Sequence, residues 1–178
     1  MKCRILGIVA LIMSLSLTLG CKQNDNQPAS TPKLSQAFQG QLLKILEAGN
    51  KLKGATEVGV NYQDYTSILN EIRGAYGLLD SMWPEDFRPE EKSALEETIA
   101  VWNWEATLWP YKIDRKLWYC EEAPTSLLKT PEDFQELIAF QIVSGSKCIN
   151  PDDELGKGMA YASEKFTKAS STLSSQLD

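Results

Sequence analysis

The chain has 178 residues, 43% of them hydrophobic, and a formal charge of −6. That acidity argues against nucleic acid as a partner and against direct electrostatic docking on anionic lipid. No His is present, which removes Ser-His-Asp and Cys-His catalysis, His-containing zinc sites and the Glu-x-x-His di-iron motif of helical bundles.

The chain opens with Lys2 and Arg4, followed by an apolar run, Ile5 to Leu19, relieved only by Gly7, Ser14, Ser16 and Thr18. A charged start, a short apolar core and small residues before residue 21 match a secretory signal over residues 1–20. The apolar run is shorter than the roughly 20 residues an ordinary membrane-spanning helix needs. It closes on Leu17-Thr18-Leu19-Gly20-Cys21, a run that resembles the lipobox of bacterial lipoproteins. Thr18 departs from the family's usual Leu. The resemblance covers only this N-terminal segment. It implies a diacylglycerol on the Cys21 thiol, cleavage just before it, further fatty acylation of the palmitate kind, and an extracytoplasmic address in the cell envelope. Lys22, where Asp would be the retention signal, implies the outer membrane if the host has two. Each buried methylene contributes about 0.8 kcal/mol, and stable anchoring takes more than one chain. Loss of Lys2 and Arg4 with the signal makes the mature charge −8.

Residues 21–33 read as the lipidated Cys and a polar tether with two Pro and no apolar rhythm. Extended, the tether reaches about 40 Å. Residues 34–178 read as one domain, long enough to bury a sizeable core. In it Leu34, Phe38, Leu42, Ile45, Gly49, Leu52 and Thr56 recur at spacings of three and four, which predicts a first helix over 33–57. Asn61 with Asp64 forms a capping signal, and Val60 with Tyr65 a hydrophobic staple. They open a second helix with the stripe Tyr65, Ile68, Leu69, Ile72, Tyr76, Leu79 and Trp83, ended by Pro84. A third helix starts at Pro89 with Glu90 and Glu91 in its first turn. Its core face is Leu95, Ile99, Trp102, Ala106 and Trp109, and Pro110 stops or kinks it.

The stretch 111–129 has apolar residues without rhythm. Thr130-Pro131 then predicts a fourth helix with Phe134, Leu137, Ile138 and Ile142 on one face, ended by Gly145. Asn150-Pro151 opens a fifth, with Leu155, Met159, Ala162, Phe166, Ala169, Leu173 and Leu177 as its stripe. No strand is expected. The fold class is all-α, an antiparallel bundle of four to five helices.

With Cys3 in the signal and Cys21 lipidated, Cys120 and Cys148 remain as an even pair in an oxidising compartment, and a disulfide between them is expected. No CxxC exists, so a redox site is not supported. Four of the five Trp fall between Val101 and Tyr119. Trp102 and Trp109 belong to the core stripe, whereas Val101, Trp104 and Leu108 fall on the opposite side of the same helix. That second face is either a binding surface, with Trp104, Leu108, Trp118 and Tyr119 as its residues, or is covered by residues 111–129 or the first helix. The acidic pairs mostly sit at helix starts or on polar faces. Glu105 with Glu121 or Glu122 is the place to look for catalytic carboxylates. The Ser126–Lys129 and Ser144–Lys147 tetrads lack the other motifs of penicillin-recognising enzymes.

The expectation is therefore a lipid-anchored, non-catalytic bundle in the cell envelope that binds a protein partner, in one version an inhibitor or immunity-type lipoprotein. No metal, cofactor or catalytic residue is assigned. The alternative is a small-ligand or glycan-binding lipoprotein with a pocket lined by Trp104, Trp109, Trp118 and Tyr119.

Overall fold

Four helices of 19 to 25 residues build the frame. The computed structural model describes residues 34–114, 118–120, 127 and 129–177, which belong to one compact unit, Pro32–Asp178. The signal, Cys21, the tether, and Glu121 and Glu122 lie outside the described residues.

Helix α1 runs Gln36–Val58, and Ser35 caps it by accepting from the Phe38 amide at 3.1 Å. Its buried face is Phe38, Leu42, Ile45, Leu46, Ala48, Gly49 and Leu52. Helix α2 runs Tyr62–Asp80. Asn61 accepts from the Asp64 amide at 2.9 Å and donates its own side-chain amide to the Asp64 carboxylate at 2.6 Å. Trp83 falls beyond the helix and instead packs edge-on against Phe38, 5.3 Å between ring centres. Its indole N–H donates to the Phe87 carbonyl at 2.6 Å. This aromatic knot holds the turn in which Arg88 adopts a left-handed conformation (φ 47°, ψ 58°) directly before Pro89, a backbone state disfavoured for both reasons.

Helix α3 runs Pro89–Ile113 and passes through Pro110. Of the two outcomes expected at Pro110, a stop does not occur: Pro110 lacks the N–H that would reach Ala106, yet the following turn closes, with the Asp114 amide on the Pro110 carbonyl at 2.9 Å. Helix α4 is one turn, Glu132–Gln135. The long fourth helix expected there does not form. Gln141–Val143 (β1) and Ser146–Cys148 (β2) make an antiparallel hairpin instead, with Ile142 opposite Lys147. Its two-residue turn places Ser144 at φ 52° and Gly145 at φ 83°, the pattern of a type I′ turn matched to strand twist. Tyr119 and Ile149 exchange backbone hydrogen bonds at 3.0 Å each. Next to them Cys120 and Cys148 are joined by a disulfide, Cα to Cα 4.1 Å. Helix α5 runs Pro151–Ser174, with Asn150 accepting from the Asp152 amide at 3.0 Å.

Around the bundle α1 packs on α2 and α5, and α3 packs on α2 and α5. Lys112 pairs with Asp152 at 3.3 Å and Lys165 with Glu97 at 2.8 Å, so α3 and α5 run antiparallel. The fold is the all-α antiparallel bundle read from the sequence, with one small hairpin added. No helix among the described residues is long and apolar enough to cross a membrane.

Candidate functional site

The Trp-rich part of α3 is apolar on both sides because the fold covers both sides. Trp102 meets Phe166 of α5 at 5.5 Å between ring centres. Trp109 lies against Tyr65 and Tyr62 of α2 at 5.6 and 6.2 Å. On the opposite side Trp104 is capped edge-on by Phe134 of α4 at 5.1 Å, and Phe134 in turn touches Tyr161 of α5 at 5.1 Å. Tyr119 stacks at a tilt on Tyr111 at 4.3 Å.

The proposed binding face is thereby corrected. Trp104, Leu108 and Tyr119 are at most 2% exposed and belong to the core, and Trp118 is half-buried. Among the described residues these four do not come together as a surface, and Trp109 is also buried, against a different helix from Trp104. Among the described residues, Phe134 of the one-turn helix α4 covers Trp104, and Tyr119 and Leu127, from the stretch 111–129, are buried in the same core. Burying an aromatic ring removes a large apolar area from water, which is why the single turn at Phe134 is retained where a full helix is not.

Glu105 sits inside this cluster with its side chain fully buried. The Tyr65 hydroxyl lies 2.6 Å from Oε2 and 3.0 Å from the Trp102 carbonyl oxygen. Oε1 has no hydrogen-bond partner among the described residues and faces Gly158 of α5, where a Cβ would stand 2.6 Å from it. Burial pushes the Glu105 carboxyl up to about 8, and the Tyr65 hydrogen bond offsets part of that rise. The same burial, with the Glu105 charge and hydrogen bond, raises the Tyr65 phenol well above its usual range. Among the described residues Glu105 is closed off from solvent.

Other polar groups knit the elements together. Lys165 of α5 bonds Glu97 of α3 at 2.8 Å and Asp133 of α4 at 3.1 Å, and the Tyr161 hydroxyl donates to Asp133 at 2.6 Å. The Tyr161 hydrogen bond, and after it Lys165, holds Asp133 below the usual carboxylate range. Glu154 is buried, pairs with Lys157 at 2.9 Å and leaves Oε2 without a partner among the described residues. A groove of about 410 Å³ runs between α3 and α5, with Ala94 and Ala169 beside Glu97, Lys165 and Lys168. None of the residues read as binding residues from the sequence lines it.

Sequence reasoning missed Tyr65, Gly158 and Glu154. Nothing in the chain joins Tyr65 to Glu105, which lie 40 positions apart. Gly158 did carry a signal: a residue without Cβ three places after Leu155, on the buried stripe, marks close approach of a neighbouring helix. Among the described residues no group of three or more Cys, Asp or Glu is arranged to hold a metal ion. Compared with known proteins, the chain matches no family model, no curated protein and no solved structure.

Proposed function

We propose that this is a lipid-anchored protein of the cell envelope whose helical domain binds a protein partner without catalysing a reaction. The reading of the address rests on the Leu17–Cys21 run and its resemblance to the lipobox. The observation that supports the binding role is exposed apolar side chains on the second half of the domain. Ile113, at the end of α3, is 57% exposed, Leu137, after α4, 50%, and Ile142, on the hairpin, 70%. Leu43 and Val58 of α1, Leu78 of α2 and Met82 are exposed as well, whereas Trp102, Trp104 and Tyr119 are withdrawn into the core. Single exposed apolar residues are ordinary; a set of them on one part of a small domain favours a protein interface. The disulfide and the Tyr119–Ile149 bridge fix the hairpin that presents Ile142, and a preformed surface loses less entropy on binding.

Two measurements test the two halves of this reading. Mass spectrometry of the natural protein should find Cys21 as the first residue, carrying acyl chains; residues 1–20 still attached and no fatty acid would remove the anchor. A photo-cross-linking amino acid at position 113, 137 or 142, activated in intact cells, should give a defined protein adduct that the same probe at Glu90 does not. No adduct at any of the three positions would count against the binding role.

A further inference from the structure

The four long helices form two hairpins, and the seam between them is unlike the packing within them. α1 lies closely along α2, and α3 along α5, whereas α2 and α3 meet less extensively. Beside the ring contacts of Trp109 with Tyr62 and Tyr65, the α2–α3 seam carries a polar ladder. Tyr65 faces Glu105, Arg73 donates to Asn103, Tyr76 donates to Glu96 at 2.6 Å, and Lys92 pairs with Asp80 at 2.7 Å. The last three rungs are exposed to water, which exchanges for such bonds at little net cost. The first rung is sealed.

The proton count on that sealed rung is decisive. Tyr65 has one hydroxyl proton and two acceptors in reach, Glu105 Oε2 and the Trp102 carbonyl. Both contacts are hydrogen bonds at once only if Glu105 carries a proton, donates it to the Tyr65 oxygen, and leaves the Tyr65 hydroxyl to donate to Trp102. An ionised Glu105 takes the Tyr65 proton for itself, deprives the Trp102 carbonyl of that donor, and holds a charge against the bare backbone of Gly158. We propose that the Glu105–Tyr65–Trp102 chain is a pH-sensitive latch, which closes the seam between the α1–α2 and α3–α5 hairpins when Glu105 is a neutral acid and loosens it when Glu105 is a carboxylate.

Among the described residues no charged group is placed to neutralise the carboxylate. The buried face of α1, Phe38 to Leu52, has no titratable residue. That of α2 has Tyr65 alone, with Arg73 further along the exposed part of the seam. That of α5 has Glu154, already paired with Lys157. The other buried residues of α3 are aromatic, aliphatic or Thr98; of the two charges of α4, Glu132 is exposed and Asp133 is engaged by Tyr161 and Lys165. The buried carboxyl is raised from an ordinary value of 4.5 to about 8. A group raised on folding stabilises the closed form fully below its unfolded value, and that contribution is lost as pH climbs through the folded one. The opening constant of the seam therefore rises about tenfold per pH unit across that window and levels off above it.

The test uses two indole N–H groups of the full chain. Trp109 lies in the seam, against Tyr65; Trp104 lies on the other side of α3, against Phe134. Hydrogen exchange of both, followed by NMR from pH 5 to pH 9 and corrected for intrinsic base catalysis, reads the seam and the rest of the core separately. We expect Trp109 protection to fall by roughly two orders of magnitude between pH 5.5 and 7.5, with Trp104 still protected. Glu105→Gln should make the Trp109 profile flat. Tyr65→Phe, which removes the middle of the chain, should lower Trp109 protection already at pH 5.5. Equal slopes in Glu105→Gln and the unsubstituted protein, or loss of protection by both indoles together, would overturn the latch.

Discussion

The helical frame and the segment that joins α3 to α5 obey different rules. In the frame, neighbours are set by spacing within each helix, and the buried faces of α1, α2 and α5 follow the three-and-four rhythm of the sequence. In the joining segment, neighbours are set from far away. Cys148 is held by Cys120, Ile149 by Tyr119, and Phe134 by Trp104. A short stretch with few residues to bury takes the shape its distant contacts impose, and local propensity yields.

The comparison is broken most severely at the point where the two regions meet. Trp104→Ala removes the ring on which α4 rests. Loss of a buried Trp should cost about 3–5 kcal/mol, read as a lower urea midpoint with an unchanged slope. A cost below about 0.5 kcal/mol is the signature of a surface residue and would return Trp104 to the binding face. The next largest effect should come from replacing Cys120 and Cys148 together by Ala. A bridge spanning 28 positions contributes about 3–4 kcal/mol in the chain-entropy picture. Equal thermal midpoints for the double variant and the oxidised protein would show that the segment holds its shape without the bond. A smaller pair of effects sharpens the rule for the frame. A Cβ on Gly49 would overlap the Phe166 ring, whereas one on Gly74 meets nothing within 4 Å. Gly49→Ala should destabilise by about 1–3 kcal/mol despite its better helix propensity. Gly74→Ala should stabilise by up to about 1 kcal/mol. Equal shifts at the two positions would mean that α1 and α5 are not in close contact.

The legibility of the chain followed the same division. Asn61 and Asn150 announced their helices through capping chemistry, and the structure has both caps. Pro110 was read as a stop or a kink, and three further residues continue the helix beyond it; packing of Tyr111 on Tyr119 accompanies that extra turn. Thr130-Pro131 looked like a helix start of the same quality as Asn150-Pro151. Only one turn follows, because Phe140 to Val143 is rich in β-branched and aromatic residues and Ser144-Gly145 supplies the turn. Of the candidate site, the concentration of Trp and the isolation of Glu105 among them were visible. Which side of α3 would be covered was not, since Phe134 lies 30 positions from Trp104 and no periodicity links them. The Tyr65–Glu105 pair was equally invisible, being a contact between helices rather than along one.

The central claim is that the Trp-rich part of α3 and Tyr119 form the interior, whereas Ile113, Leu137 and Ile142 are open to solvent. Hydroxyl-radical footprinting of the intact protein, read by mass spectrometry, tests it without any substitution. We predict rapid oxidation at Ile113, Leu137 and Ile142 and slow oxidation at Trp102, Trp104 and Tyr119, even though indole and phenol rings are intrinsically the more reactive. Fast oxidation of Trp104 and Tyr119, with the three aliphatic residues spared, would contradict it.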